Sequence, residues 1–320
     1  MKIVFMGTPD FAVRSLELLL DNGYEVVGVV TAPDKPSGRG QQMSASAVKK
    51  FAIERNLKVL QPVKLKDQNF LNELRNLQAD LQFVVAFRML PEEVWNMPKL
   101  GTYNLHASLL PNYRGAAPIN WAVINGEQES GVTTFKLKHE IDTGNILYQE
   151  KVSITPEMNA GDLHDVLMEK GAKLIVKTAA ELKRCLDKNE EPLFKVQDET
   201  KVSHAPKIFK DTCRINWNKN ALQIHNLIRG LSPYPTAFTI LSGAAGEERS
   251  IKIFASAYEL APHNNTNGSL ITDAKSYIKV YCKDGVLEIK DLQLEGKRRM
   301  SVSEFLRGYR FNHDDRFLSS

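Results

Sequence analysis

Apolar runs of strand length that lack a polar face constrain this chain more than anything else in it. Lys2-Ile-Val-Phe-Met6 and Glu25-Val-Val-Gly-Val-Val30 are hydrophobic on both sides of the pleat. Side chains alternate across a strand, so such a run is stable only where helices cover both faces, as in a mostly parallel sheet. Between the two runs Gly7-Thr8-Pro9-Asp10 breaks the strand, and a helical pattern follows through Leu20. The chain therefore opens β-α-β. The alternation continues with a helix capped by Ser44 or Ser46 and ending near Arg55, a strand at 58–60, a helix at 69–78, and strands at 82–86 and 102–106. The expected class is α/β, a Rossmann-like, mostly parallel sheet flanked by helices. Gly7-Thr-Pro-Asp-Phe11 lacks the Gly-x-Gly-x-x-Gly spacing of a dinucleotide site, and no Gly-Lys-Ser/Thr phosphate loop occurs. Nicotinamide and ATP readings start weak.

Past a helix near 118–124, residues 131–138 alternate and 145–152 form a second extended run, with Asp142-Thr-Gly144 in the turn between them. A long helix is expected from 162 to about 186. A polar, Pro-punctuated linker at 189–206 then divides a first domain, 1–188, from a second, 207–320, as suits a chain of 320 residues. In the second, short strands near 238–240, 251–254, 269–271, 278–281 and 287–289 are separated by turn residues, the pattern of a small, OB-like β-barrel. Charge divides with the domains. Residues 201–320 hold 18 Lys+Arg and 12 Asp+Glu, net +6, against −2 for residues 1–200. That asymmetry suggests a polyanionic partner at the C-terminal domain, although a merely solvated basic surface accounts for charge alone equally well. No apolar run reaches the roughly 18 to 20 residues of a membrane helix, and the N-terminal apolar segment is too short for a signal peptide. A cytoplasmic location is expected. Cys185, Cys213 and Cys282 have neither zinc spacing nor a disulfide pattern and read as free thiols.

Chemistry-bearing residues gather where strands end. On the strand at 102–106, Asn104 and His106 are two apart and project to one surface, while Leu105 faces the core. The chain then turns through Ser108-Leu109-Leu110-Pro111, reaches Arg114-Gly115, and restarts as a helix with Pro118 in its first turn. Residues 7–10, 31–42, 87–90 and 104–115 all lie at carboxyl ends of strands, where open α/β sheets bind ligands. The loop Pro33-Asp-Lys-Pro-Ser-Gly-Arg39-Gly-Gln-Gln42 is dense in turn residues and too long for a bland connection.

Asn104-x-His106-x-Ser108-Leu-Leu-Pro111-x-x-Arg114-Gly115 with Asp142-x-Gly144, together with Gly7-Thr-Pro-Asp-Phe11, Pro33-Asp-x-Pro-x-Gly-Arg-Gly40, Arg229 and Pro233-Tyr-Pro235, carries a resemblance. Over nearly its whole length the chain resembles the formyltransferases that use 10-formyltetrahydrofolate, most closely those acting on initiator methionyl-tRNA. Phe87-Arg88-Met89-Leu90 is closer to the folate pocket of glycinamide ribonucleotide formyltransferases, and Glu140-Ile141 stand where Gly-Leu is commoner.

The resemblance implies that Asn104, His106 and Asp142 are catalytic and that Ser108, Leu109, Leu110 and Pro111, with Phe87, Arg88, Met89 and Leu90, bind the folate. It puts the Arg39 loop, with Lys35, near the end of initiator tRNA, while Lys297, Arg298 and Arg299 become backbone contacts if the basic barrel meets tRNA. An α-amino group with a free pKa of about 7.7 to 8.0 is partly neutral near pH 7, and that form can attack directly. Asn104 and His106 would then stabilise the oxyanion, while Asp142 orients His106 and assists proton removal. Arg114 either anchors its loop or touches a ligand. The expected co-substrate is 10-formyltetrahydrofolate, with no metal, no membrane and a monomeric chain. The competing expectation is a formyltransferase for a small amine such as glycinamide ribonucleotide or an amino sugar nucleotide.

Overall fold

The two-sided apolar strands lie where their composition requires. In the computed structural model, which describes residues 1–37, 42–243, 247–312 and 315–319, strands β1 (Lys2–Gly7), β2 (Glu25–Val30), β3 (Val59–Leu60), β4 (Leu81–Val85), β5 (Thr102–His106), β6 (Glu129–Lys136) and β7 (Ile146–Ser153) form one sheet. Its order is β7-β6-β5-β4-β1-β2-β3. Pairings among β1 to β5 are parallel, and β6 joins β5 antiparallel. Val4 and Met6 pack with Val84, Phe70, Leu74 and Val94 in one cluster, and the alternating Ile3 and Phe5 are fully buried on the other side of the pleat. The strand order reverses between β1 and β4, the switch at which such sheets open a crevice.

Helices form where caps and periodicity indicated. Ser46 accepts the Lys49 N–H at 3.0 Å and starts Ala47–Glu54, and Asp67 does the same for Phe70 at 3.1 Å at the head of Gln68–Asn76. The long helix runs Ala160–Lys188. It lies against β5 and β6: a side chain added at Gly171 would meet Leu105, and Thr178 bonds Thr134 at 2.8 Å. The long loop holds an element that was not expected. Lys35–Ser37 and Gln42–Ser44 pair as a short antiparallel ribbon at the base of the long loop.

The chain forms two compact units, and the division is not a single cut. The first comprises Met1–Gly115, Ser130–Ser153 and His164–His204, the second Ala116–Glu129, Ile154–Leu163 and Ala205–Ser320. Most of the stretch expected to be a linker therefore belongs to the first unit. Lys195 and Ile146 exchange both backbone hydrogen bonds at 2.8 Å, Phe194 stacks on Tyr103, and Gln197 is 5% exposed.

In the second unit, strands β8 (Ala237–Ser242), β9 (Glu248–Leu260), β10 (Leu270–Thr272), β11 (Ile278–Cys282), β12 (Gly285–Leu294) and β13 (Arg316–Leu318) run in the order β10-β11-β12-β9-β8-β13, all antiparallel. A bridge between Ser269 and Arg316 and the bond from Phe317 N–H to the Gly268 carbonyl join the two ends, so the sheet closes as the expected small barrel. Trp217 fills it. Its ring stacks on Phe317 with centroids 5.7 Å apart, and its indole N–H donates to Thr239 Oγ1 at 3.0 Å. Arg229 donates to Asn226 and to the Met158 carbonyl, which ties 154–163 to the helix Ala221–Leu231. The three cysteines are free and buried. Among the described residues no helix is long and apolar enough to cross a membrane.

Trp217 is fully buried and polar-satisfied, so Trp217→Ala removes both packing and a hydrogen bond. We expect it to lower unfolding stability by about 3 to 5 kcal/mol. Equilibrium denaturation reads the loss, and an unchanged midpoint would show that the barrel does not depend on this ring.

Candidate active site

His106 ends β5 and is 6% exposed. Its Nε2 lies 2.9 Å from the Tyr113 carbonyl oxygen, an acceptor, so the proton of the neutral ring is on Nε2. Its Nδ1 lies 3.9 Å from Asp142 Oδ2, longer than a hydrogen bond. The ring's position is therefore set by Tyr113 as much as by Asp142. Asn104 is half-buried two residues earlier on the same face of β5, and among the described residues its amide has no hydrogen-bond partner.

Asp142 comes from the hairpin between β6 and β7 and has φ +56°, the left-handed region that costs a residue with a Cβ about 1 to 2 kcal/mol. Three hydrogen bonds from two groups hold it there. The Gly115 N–H donates to Asp142 Oδ2 at 3.0 Å, and Gln197 Nε2 donates to the Asp142 and Gly144 carbonyls at 2.7 and 2.8 Å. Gly115 itself has φ +124°, a conformation in which glycine aims its N–H at the carboxylate without strain. Gly144 is required sterically, since an added Cβ would lie 1.7 Å from the Lys136 carbonyl oxygen.

Arg114 proves to be an anchor. Its guanidinium, 8% exposed, donates to Gln197 Oε1 from Nε at 3.1 Å and from Nη2 at 2.7 Å, and to Glu199 at 3.0 and 2.7 Å. Its backbone N–H and that of Tyr113 bond Ser203. The guanidinium beside Glu199 holds that carboxyl below the usual carboxylate range. Gln197, Glu199 and Ser203 carried no signal in the sequence, because only the folded chain brings a presumed linker back to the strand end.

The turn after His106 is braced from below. Thr133 Oγ1 donates to the Ser108 carbonyl at 2.6 Å and accepts from Leu110 N–H at 3.2 Å, while Gln149 bonds the Leu110 carbonyl at 2.9 Å. Ser108 and Leu110 are buried, and Leu109 and Pro111 are half-exposed. Phe87 is half-buried, Arg88 and Met89 are exposed, and Leu90 is buried. Arg88 donates to the Val63 and Pro62 carbonyls and lies over the Phe87 ring. Arg88, Met89 and Leu90, with Leu65, Trp95 and His139, line a cleft of about 1070 Å³ that does not include Asn104, His106 or Asp142.

The basic residues are distributed differently. Lys35 is exposed on the short ribbon, and Arg39 lies outside the described residues. Lys297, Arg298 and Arg299 are exposed, but Arg298 pairs with Glu304, and Arg299 donates to Asp291 at 2.7 Å and covers the Phe254 ring at 4.3 Å. Two of these three charges are thus partly neutralised within the barrel.

Family models for formyl transferase match residues 1–179, and for the formyl transferase C-terminal domain residues 207–310. A relative from Parabacteroides distasonis named methionyl-tRNA formyltransferase is 54% identical over 97% of this chain and 96% of its own length. One of the same name from Bacteroides thetaiotaomicron is 52% identical over 98% and 97%. In fold the chain matches an N-formyltransferase from Helicobacter canadensis solved in complex with folinic acid and dTDP-3-aminofucose. The TM-score is 0.64 at 23% identity, over 94% of this chain and all of the other.

Because a methyl group at Gly144 has no room against Lys136, Gly144→Ala must displace the turn that carries Asp142. We expect a stability loss of about 1 to 3 kcal/mol in urea; an unshifted midpoint would show that the hairpin yields freely.

Proposed function

The chain belongs to the formyl transferase family, and from that premise we propose that it transfers the formyl group of 10-formyltetrahydrofolate to the α-amino group of initiator methionyl-tRNA. The observation that carries this reading is the near-full-length identity to relatives of that name. The arrangement of Asn104, His106 and Asp142 supports the chemistry. The neutral amine attacks the formyl carbon, a C–N bond forms, and the carbonyl oxygen becomes an oxyanion that Asn104 Nδ2 stabilises by donation, joined by His106 once its Nδ1 carries a proton. The amine proton passes to Asp142, directly or through water. Collapse of the intermediate breaks the bond to the folate nitrogen, which leaves with the proton returned from Asp142. Preorganised donors of this kind typically contribute about 100- to 1000-fold.

Folate lies, in this reading, along Ser108, Leu109, Leu110 and Pro111 and against Phe87, Arg88, Met89 and Leu90. The brace from Thr133 and Gln149 gives the first stretch a fixed backbone shape. Arg39 and Lys35 meet the acceptor end of the tRNA, and Lys297, Arg298 and Arg299 its backbone. The protein acts as a monomer in the cytoplasm and uses no metal.

Three outcomes are expected. Purified protein should formylate charged initiator tRNA from 10-formyltetrahydrofolate and leave glycinamide ribonucleotide and amino sugar nucleotides untouched; the reverse preference would reject the substrate. His106→Ala and Asp142→Ala should each lower turnover at least about 100-fold with folate affinity retained, because both act on charge that develops in the transition state. Near-normal turnover in either removes the role assigned to it. Arg39→Ala should lower kcat/KM for initiator tRNA by about 1 to 3 kcal/mol and cost less with elongator tRNA, as loss of one bidentate contact does. Equal losses on the two tRNAs would mean that Arg39 only tethers its loop.

A further inference from the structure

Gln197 occupies a position that its sequence neighbourhood gave no reason to single out. It is 5% exposed, and all the polar atoms of its side chain are used. A guanidinium only donates, so the Arg114 fork requires the amide oxygen to face it, and the amide NH₂ must point the other way. There it meets two carbonyls, those of Asp142 and Gly144, at 2.7 and 2.8 Å. The amide orientation is thus determined from both ends. One of the two carbonyls belongs to Asp142 itself, whose left-handed conformation the isolated chain disfavours, and both belong to the turn that holds the carboxylate facing His106 Nδ1.

We propose that Gln197 is a positioning residue for the catalytic carboxylate, with Arg114 as its lock, so that residues 197–203 complete the active site instead of merely leading away from it. This rests on the role given to Asp142 above. Gly115 fixes the carboxylate tip through Oδ2, and Gln197 fixes the backbone beneath it, so the two together define both ends of the Asp142 side chain. Glu199 closes the other half of the fork. Its carboxyl is held below its ordinary range by Arg114, so this pairing is complete at neutral pH and is lost only as pH falls through that lowered value.

The test is a double-mutant cycle on full-length protein, with formylation of charged initiator tRNA as the assay. Gln197→Leu keeps the volume and removes both donors. We expect kcat to fall about 10- to 100-fold, the scale of a small misplacement of a reacting group, with KM for tRNA and for folate changed less than about twofold. On an Asp142→Ala background the same change should cost less than about a further twofold, because two residues that act through one function are not additive. A kcat within twofold of the parent, or a full additional loss on the Asp142→Ala background, overturns the proposal. If Gln197→Leu does not fold, as judged by circular dichroism, Gln197→Asn is put through the same cycle with the same criteria. Near-normal turnover in Asp142→Ala alone would remove the role of Asp142 and the proposal with it, which separates that failure from failure of Gln197.

Discussion

A guanidinium that is almost wholly buried must have all its donors met, and around Arg114 that requirement organises the site. One side is satisfied by Gln197 and the other by Glu199, both from a stretch more than eighty residues away in sequence. Bringing that stretch back fixes Ser203 against the Tyr113 and Arg114 backbone, which in turn fixes the Tyr113 carbonyl that orients His106. The next residue, Gly115, gives its N–H to Asp142. One buried charge thus connects the turn after β5, the hairpin after β6 and the chain leaving the long helix. Removing a single partner from such a network is costly, because the group left behind stays buried without one.

What the sequence disclosed and what it concealed divide along the same line. Two-sided apolar strands, the placement of Asn104 and His106 on one face, and the separate barrel were legible because each follows from short-range periodicity. The Asp142-Thr-Gly144 turn was legible as a turn, but the reason for Gly144 is a contact with Lys136 across the hairpin, and spacing does not show it. Arg114 allowed two readings, and only its partners decided between them. The segment 189–206 shows the same limit. Its polar, Pro-containing composition is that of a linker, yet Phe194, Lys195, Gln197 and Ser203 are each engaged by residues of the first unit. Composition reports how a segment behaves alone, and these residues are held by distant partners.

Net charge requires similar care. The C-terminal residues carry +6 overall, yet the most conspicuous basic run gives two of its three cations to Glu304 and Asp291. Exposed pairs of this kind are weak and screened, so they remain exchangeable with a phosphate. A pair nonetheless contributes little to the long-range field. The excess that steers a polyanion resides in cations not matched by nearby carboxylates, and a count along the chain cannot locate them.

The geometry around His106 also limits how the proposed chemistry can be divided. With Nε2 donating to Tyr113, the neutral ring presents Nδ1 as an acceptor toward the space it shares with Asp142. In that state it can receive a proton and cannot stabilise an oxyanion by donation. Once protonated, Nδ1 becomes a donor, and the facing carboxylate stabilises the charge. In the proposed reaction the two tasks would therefore fall to His106 in sequence and never together, with Asn104 as the first donor to the developing oxyanion. A water between Nδ1 and Oδ2 suits the 3.9 Å gap poorly, whereas a small inward movement of either group closes it to a hydrogen bond.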